Sequence, residues 1–479
     1  MPSTWVGIPL LPEIVLAVLA LLIIVLDAAF WPRRLSQNLG YLMLCGLLLV
    51  LSAALQEWTY GVNGTAFDGL IFFDAYATLV DLLVLAVALC ALLLALSRSD
   101  REKQVGEFYP LLLISVLGMM LAVSAANMLI VYLGLELASL PLWMLVTVSR
   151  GDGKGLEAGV KMLIISLFGS GMMLFGTALL YGAVGGTGLQ LLVDSLSTSV
   201  VDDKLVMPGV GLVVAGLLLK IGAAPLHAWS PDVREGSPLA VSAFVAAAVP
   251  AAGCAVLGRV MLFSFASVEH LWMPLLEVTA VLSIVCGSLQ AINQRNIKRL
   301  LAYVGVAQVG VALVGLLATN EAGLAGLFFC FFGSALALAG CYAVIAMCGP
   351  GSPDLRDYCG LARQQPLLAL GFAFCLASLA GLPPTAGFIG RLYVLMATLE
   401  AGRVGLALVA AGCFPFLAYA GLRVACSAIM NPPDVKRVEV HVRAESLVVL
   451  LLSLMGTLTL GLMPAALLRV IGETVTAVL

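Results

Sequence analysis

The stretch LLLKIGAAPLHAWSPDVREGSPLAVSAF, residues 217–244, places a lysine inside an apolar helix and then interrupts that helix. A charged amine in hydrocarbon is costly, so Lys220 is typical of a functional position. Pro225 removes a backbone donor within the same span, and His227 follows shortly after it. Non-helical backbone at membrane depth persists only where it is buried in protein or lines a wet cavity. The stretch therefore predicts the centre of an ion or proton path.

The composition of the chain indicates a membrane protein. Its 479 residues are 62% hydrophobic and 11% charged, and the mean hydropathy is +1.10, which lies far above the range of soluble proteins. A formal net charge of -3 shows no excess of basic residues, which binding of nucleic acid would require. We predict an all-α, polytopic protein of the lipid bilayer that binds no nucleic acid.

Apolar runs long enough to span a bilayer occur about fourteen times. An amphipathic piece from Leu189 to Leu196 is predicted to lie along an interface. The first run has no basic segment before it and is predicted to be a retained helix. The predicted spans are 9–30, 38–55, 72–97, 108–125, 127–148, 158–187, 205–229, 237–264, 271–292, 298–318, 322–348, 366–398, 404–429 and 445–470.

Basic residues predict the orientation of these spans, because cytoplasmic loops retain lysine and arginine. Loops after odd-numbered spans carry most of them, whereas loops after even-numbered spans carry only Lys204 and Arg403. Both termini are therefore predicted to face outward. In a bacterium with two membranes, the protein would lie in the inner (cytoplasmic) membrane with periplasmic termini.

Two spans are more interrupted than the others. The seventh contains Pro225, and the twelfth contains Pro383 and Pro384 within SLAGLPPTAGFIGR. They lie five spans apart, and this odd spacing indicates an inverted repeat with discontinuous helices, in which spans 4 to 8 recur as spans 9 to 13. Two unrelated proline kinks are the alternative. The predicted segments are 1–100 with three helices, 101–265 and 266–430 with five helices each, and 431–479 with helix 14.

One carboxylate near mid-depth offers a partner for Lys220. Glu136 lies in VYLGLELASLPLW in the fifth span, where an isolated carboxylate would become neutral but one beside a lysine stays charged. We predict a pair between Glu136 and Lys220, with Lys161 as a competing partner. Burial favours the neutral amine and a nearby carboxylate favours the ammonium, so moving the carboxylate lets the lysine exchange a proton. An ion pair that only fixes helix packing is the alternative.

Two roles fit His227. It can extend the relay, because imidazole both accepts and donates protons near neutral pH, or it can satisfy backbone carbonyls that Pro225 leaves free. Asp232, Arg234 and Glu235 follow at the predicted cytoplasmic edge, and we interpret them as solvated charges.

The sequence predicts no cofactor or metal in this chain. Eleven cysteines include no CxxC pair, and three histidines lie far apart and resemble no metal motif. A Rossmann glycine pattern and a Walker A loop are both absent from the sequence. Any redox chemistry would therefore belong to partner proteins.

Six segments carry a resemblance to a known family. The chain resembles the N subunits of bacterial NADH-quinone oxidoreductase (respiratory complex I), which are antiporter-like membrane subunits, over nearly its whole length. The resemblance implies fourteen helices, two inverted repeats, and a proton path in which Glu136 and Lys220 are the key glutamate and lysine. The segments are LLPEIVLAVLALL, FDAYA, YLGLELASLPLW, KIGAAPLHAWSPDV, NIKRLLAYVGVAQVG and LAGLPPTAGFIGRLYV.

Three positions depart from the family pattern. Pro250 and Arg391 replace lysines of the eighth and twelfth spans, and Gln308 replaces a histidine of the tenth span. Arginine stays protonated at accessible pH, and glutamine orients water but cannot titrate. The second half is therefore predicted to conduct protons weakly by the family's route, unless water and polar groups suffice.

The resemblance implies a proton-translocating subunit of a redox-driven complex. Its partners would be other membrane subunits, including antiporter-like paralogues, and indirectly the quinone-reducing and NADH-oxidising subunits. A subunit of a multisubunit cation/proton antiporter is one alternative, although neither broken segment supplies the carboxylate that sodium requires. A non-pumping structural subunit is a second alternative, favoured by Pro250 and Arg391.

Overall fold

The computed structural model describes residues 10–29, 36–61, 63–98, 107–147, 153–197, 203–349, 354–432 and 440–475. These ranges are almost entirely helical. In chain order the helices are α1 Leu11–Ala29, α2 Ser36–Tyr60, α3 Ala75–Arg98, α4 Phe108–Ser124, α5 Met128–Thr147, α6 Gly153–Val184, α7 Leu189–Leu196, α8 Asp203–Ile221, α9 Trp229–Gly236, α10 Leu239–Gly258, α11 Glu269–Asn293, α12 Ile297–Leu317, α13 Glu321–Met347, α14 Leu361–Gln364, α15 Pro366–Ala380, α16 Ala386–Glu400, α17 Val404–Met430, α18 Ala444–Leu462 and α19 Ala465–Val475.

The predicted class, an all-α polytopic membrane protein, is confirmed. Within the described residues, twelve helical segments are long and apolar enough to cross a membrane. The predicted fourth span is the 17-residue α4, and the first half of the predicted twelfth span is the 15-residue α15. The total of fourteen spans, the inverted repeat and the four predicted segments stay predictions.

Both predicted interruptions are present. The predicted seventh span, 205–229, consists of α8 and the interruption that follows it, with α9 beginning only at Trp229, and the twelfth span is divided into α15 and α16. A glycine follows each first half, and its left-handed backbone (φ 72° at Gly222, φ 79° at Gly381) ends the helix. Two backbone hydrogen bonds complete each helix end, including Ala223 N–H to Leu218 O at 3.1 Å and Leu382 N–H to Ala377 O at 3.0 Å.

The centre of the bundle is formed by α10, α12 and α13. The apolar part of α12 is completely buried, and that of α10 together with its continuation to Ser264 is 94% buried. In the outer helices α1, α17 and α18, only 33%, 28% and 28% of the apolar residues that could span a membrane are buried. Their exposed leucines and valines are suited to lipid or to neighbouring subunits.

Three local features differ from the sequence prediction. A hairpin of β1 Gly64–Ala66 and β2 Ile71–Phe73 precedes α3, with Gly64 opposite Phe73. Residues Arg259–Ser264 continue α10 as a π-helix. The last span was predicted to run from 445 to 470, but α18 ends at Leu462. A separate helix, α19, begins after Pro464, which lacks the backbone N–H that would extend α18.

Candidate functional site

The predicted contact between Glu136 and Lys220 is present. Lys220 Nζ lies 2.8 Å from Glu136 Oε1, and the two side chains are only 9% and 14% exposed, respectively. Lys220 lies in the last turn of α8, directly before the interruption. The negative end of the helix dipole stabilises a cation there, in addition to the carboxylate.

Three serines complete the surroundings of this pair. Lys220 Nζ lies 3.3 Å from Ser166 Oγ and 3.4 Å from Ser139 Oγ, and the Ser170 hydroxyl donates a hydrogen bond to the Glu136 carboxylate. A close approach of α6 to α8 brings two of the serines here, since a Cβ on Gly216 would lie 2.6 Å from Gly169 O. Every member of the set can therefore exchange hydrogen bonds with the ion pair.

A cavity of about 50 Å³ borders Lys220. Its polar lining includes Ser139 and Ser166, and Trp229 of α9 forms part of its apolar wall. The Trp229 indole donates to Leu219 O at 3.2 Å, which ties α9 to the end of α8. A volume of about 10–15 Å³ accommodates one water, so this cavity has room for a few.

The structure does not bring Lys161 to Glu136. Lys161 lies two turns into α6 and is 41% exposed, with its Nζ 2.7 Å from Glu157 and 2.8 Å from Asp232. The competing partnership with Glu136 is therefore not formed. The predicted span began at residue 158, whereas α6 begins at Gly153, so Lys161 lies further along its helix than predicted but contacts Glu157 and Asp232 instead of Glu136.

The interpretation of α9 as a solvated charged edge is wrong for one of its three charges. Arg234 is 3% exposed, and its guanidinium donates to Leu301 O and Ala302 O of α12, each at 3.4 Å. Packing of α9 on α12 supplies these carbonyls to one guanidinium nitrogen, while Nε has no hydrogen-bond partner among the described residues. The carboxylates of Asp232 and Glu235 bind Arg299, also on α12, at 2.9 and 2.8 Å.

Asp232 remains ionised at this edge, outside the membrane-spanning helices. Burial raises the pKa of its carboxyl, but hydrogen bonds from Lys161 and Arg299 outweigh burial and lower the pKa below its usual range. The ionic contacts thus hold α9 against α6 and α12.

His227 lies in the interruption between α8 and α9 and is 9% exposed. Its ring meets Tyr303 of α12 edge to face, with centroids 6.3 Å apart. Its Nδ1 has no hydrogen-bond partner among the residues described. Its two possible roles, extending the proton relay and binding the carbonyls that Pro225 leaves free, both stay predictions.

At the second interruption, Arg391 binds backbone carbonyls. It extends from α16 to donate to Ala380 O at 2.5 Å and to Leu379 O, the last carbonyls of α15. Its guanidinium also lies 5.0 Å from the Phe414 ring centroid. Arg391 is 3% exposed. It therefore caps the helix end with a fixed charge.

Gln308 and Pro250 line a second, much smaller cavity of about 10 Å³, together with Ser334 and Leu379. The Gln308 amide donates to Cys330 O at 3.5 Å. This space accommodates about one water. It lies beside Leu379, whose carbonyl binds Arg391.

Three further arginines have partners that the sequence analysis did not predict. Arg259 binds Asp74 at 2.7 Å, and Arg403 binds Glu277. Arg423 donates to two backbone carbonyls, Ile292 O at 2.7 Å and Gln294 O at 2.9 Å. A search for opposite charges at matching depth in neighbouring spans could have found the Asp74 pair.

Interrupted membrane helices with a lysine–glutamate pair at one interruption define an antiporter-like membrane subunit. The family model described as NADH:quinone oxidoreductase/Mrp antiporter, transmembrane region, matches residues 125–415. A chain of the Mrp complex from a Dietzia species has the same fold, with a TM-score of 0.86, 21% identity, and coverage of 98% of this chain and 97% of that one.

Closer relatives identify the family. NADH-quinone oxidoreductase subunit N of Trichlorobacter lovleyi is 34% identical over 96% of this chain and 95% of its own length, and that of Desulforamulus reducens is 36% identical over 96% of both. A chain of respiratory complex I from Thermus thermophilus with bound aureothin has a TM-score of 0.82 and 32% identity, covering 96% of this chain and 99% of that one. The chain therefore belongs to the NADH-quinone oxidoreductase subunit N family, as the resemblance predicted.

Proposed function

We propose that this chain translocates protons as a membrane subunit of an NADH-quinone oxidoreductase, and that Lys220 and Glu136 carry the proton. The observation that carries the proposal is the 2.8 Å ion pair at an interrupted helix, beside a cavity of about 50 Å³. Electron transfer would take place in partner subunits, and the neighbouring membrane subunits would include antiporter-like paralogues.

The proposed step moves one proton between Lys220 and water in the cavity. While Glu136 is close, its negative charge favours the ammonium form of Lys220. When the carboxylate moves away or is screened, burial favours the neutral amine, and Lys220 releases a proton to a neighbouring water or hydroxyl. Ser139 and Ser166 lie within 3.4 Å of Nζ and can accept hydrogen bonds from either form.

The membrane arrangement belongs to the same proposal. The chain would lie in the inner (cytoplasmic) membrane with both termini in the periplasm, following the distribution of lysine and arginine. Helices 4 to 8 and 9 to 13 would form inverted repeats around the two interruptions. Similar glycine-capped helix ends at Gly222 and Gly381 support this relation.

The test is to replace Lys220 with methionine and, separately, Glu136 with glutamine in the assembled complex. Both substitutions remove one charge with little change in volume, and we expect the rate of proton pumping to fall by about tenfold or more, equivalent to about 1.4 kcal/mol of activation free energy. Proton uptake into membrane vesicles and quinone reductase activity would be measured together.

A matched control is Arg469→Gln, which removes a cation whose side chain is 82% exposed. It should change neither measurement. If Lys220→Met and Glu136→Gln both leave the rate of proton pumping unchanged, the pair is only structural and the proposal is wrong.

A further inference from the structure

Two buried arginines flank the small cavity that Gln308 lines. Gly305 of α12 and Leu379 of α15 also line this cavity. The guanidinium of Arg234 lies against Gly305, because a Cβ on that glycine would be 2.5 Å from Nη1 of the arginine. The guanidinium of Arg391 binds the carbonyl of Leu379. Each cation therefore contacts a residue of the cavity wall.

Neither of these cations is neutralised by a carboxylate. Arg234 and Arg391 are each 3% exposed. Within the described ranges, their hydrogen bonds go to backbone carbonyls of α12 and α15, and the Nε atom of each arginine has no partner. A peptide carbonyl orients its dipole toward a cation but carries no charge itself. Two positive charges therefore remain uncompensated beside the cavity.

Local packing holds Arg234 in this position. The two acids that flank it on α9, Asp232 and Glu235, bind Arg299 of α12 and so fix α9 against that helix. Gly305 leaves the space that the guanidinium occupies, and any side chain there would displace it. The acids of α9 are thus engaged elsewhere, and the charge of Arg234 has a fixed place next to the cavity.

The residues that line the cavity supply no negative charge. Their polar side chains are the Gln308 amide and the Ser334 hydroxyl, which are both neutral. Gly305 and Gln308 are one turn apart on α12, and such neighbours lie about 5–6 Å from each other. Over that distance, at an effective dielectric constant of about 20, one unit charge lowers the occupancy of a second cation by about a hundredfold. A water fits here, whereas hydronium is strongly disfavoured.

We propose that Arg234 and Arg391 make the second cavity a cation-excluding barrier, which prevents protons from flowing passively through this half of the chain. Both charges are permanent, because arginine stays protonated at accessible pH. A fixed positive charge beside a narrow water site is a general means of excluding protons from a membrane pore. The barrier goes beyond the proposed function, since it concerns proton flow in the absence of electron transfer.

The experiment measures passive proton leak through the whole complex in liposomes, without NADH. A dye trapped inside reports the internal pH after the external medium is acidified. Arg234→Met removes the charge with little change in volume, and we expect the leak per complex to rise by about tenfold or more. Arg234→Lys keeps the charge and should leak no more than the wild type. Equal leaks in both variants would show that packing, not charge, closes the cavity, and would overturn the proposal.

Arg423→Met is the matched control for loss of an arginine that binds carbonyls. Arg423 donates to Ile292 O and Gln294 O, and neither of these residues lines the second cavity. Its removal should leave the leak unchanged. Adding Gln308→Leu to Arg234→Met removes the amide that orients water in the cavity and should return the leak to within about twofold of the wild type. A leak that persists in the double variant follows another route and would contradict the barrier.

Two further comparisons test the barrier even if Arg234→Met does not assemble. A wild-type leak above that of protein-free liposomes, abolished by Gln308→Leu, would show that protons already pass the cavity and would overturn the proposal. Arg391→Met should leak as Arg234→Met does, per assembled complex, and a tight Arg391→Met would contradict a barrier formed by both arginines.

The barrier and the proposed function fail separately. A tight Arg234→Met, with pumping lost in Lys220→Met, would reject only the barrier. A leaky Arg234→Met, with pumping unchanged in Lys220→Met and Glu136→Gln, would reject only the proposed function.

Discussion

The interruptions after α8 and after α15 end their helices in the same way but use their cations differently. At the first, Lys220 binds the Glu136 carboxylate and borders a cavity of about 50 Å³. At the second, Arg391 binds the carbonyls of Leu379 and Ala380. At both interruptions a glycine with a positive φ ends the helix, Gly222 after α8 and Gly381 after α15. The same backbone break can therefore present a cation to a group that titrates or to one that does not.

This difference indicates which interruption can exchange protons. A carboxylate can gain a proton or move away from its partner, and an amine can lose a proton. A peptide carbonyl remains neutral and an arginine remains charged over the accessible pH range. The first interruption thus has two groups that can change charge, whereas the contacts of Arg391 are those of a permanent helix cap.

The largest expected effect is that of Lys220→Arg, which makes the first interruption resemble the second. The guanidinium can keep the ion pair with Glu136 but cannot release its proton. We expect the rate of proton pumping to fall by about tenfold or more, while the complex still assembles. Vesicle pumping and quinone reductase activity would be measured in the same membranes.

The conservative nature of this substitution makes it decisive. A structural ion pair tolerates arginine in place of lysine, as both remain cations. Pumping at the normal level in Lys220→Arg would therefore show that the pair only fixes α5 against α8.

The second expected effect is on stability, in Arg391→Met. This change removes the donor to Leu379 O and Ala380 O, and each buried carbonyl left unpaired costs about 1–3 kcal/mol. We expect a lower thermal unfolding temperature of the complex, measured in detergent, and weaker assembly. Arg391→Lys keeps one cationic donor and should lose less, so equal losses in both variants would exclude capping by hydrogen bonds.

The sequence allowed the first interruption to be predicted better than the second. Lys220 and Glu136 are charged side chains at similar depth in apolar runs, and such groups must find each other or a wet cavity. Pro225, Pro383 and Pro384 indicated the interruptions because each follows a glycine closely, whereas Pro141 and Pro250 lie inside continuous helices. These features depend on residue type and depth alone.

The partners of arginine were not predictable in the same way. Arg391 and Arg234 both bind backbone carbonyls, which every residue possesses, so no side-chain pattern identifies the partner. Lys161 was misjudged for another reason. Its depth could be read from the sequence but the direction of its side chain could not, and in the fold it contacts the carboxylates of Glu157 and Asp232.

A smaller effect distinguishes the two glycine caps. Gly222→Ala and Gly381→Ala both force a side chain into a left-handed conformation, at about 1–2 kcal/mol. A Cβ on Gly381 would also lie 2.5 Å from the Arg391 guanidinium, whereas one on Gly222 would lie 3.4 Å from Trp229. We therefore expect Gly381→Ala to lower the thermal unfolding temperature more than Gly222→Ala. The reverse order would argue against a tightly fixed Arg391.

The smallest expected effect is that of Gln308→Leu, which tests whether protons pass the second interruption at all. Gln308 lines a cavity of about 10 Å³ and donates a long hydrogen bond of 3.5 Å to Cys330 O. Leucine has a similar volume but cannot orient the single water that fits there. If the proton path depends on the first interruption alone, the rate of proton pumping should change by less than about twofold, or about 0.4 kcal/mol of activation free energy. Ser334→Ala in the same cavity is the matched control for loss of a polar wall. A tenfold loss in Gln308→Leu, with normal pumping in Ser334→Ala, would show that the glutamine carries protons onward and that the two interruptions form one path.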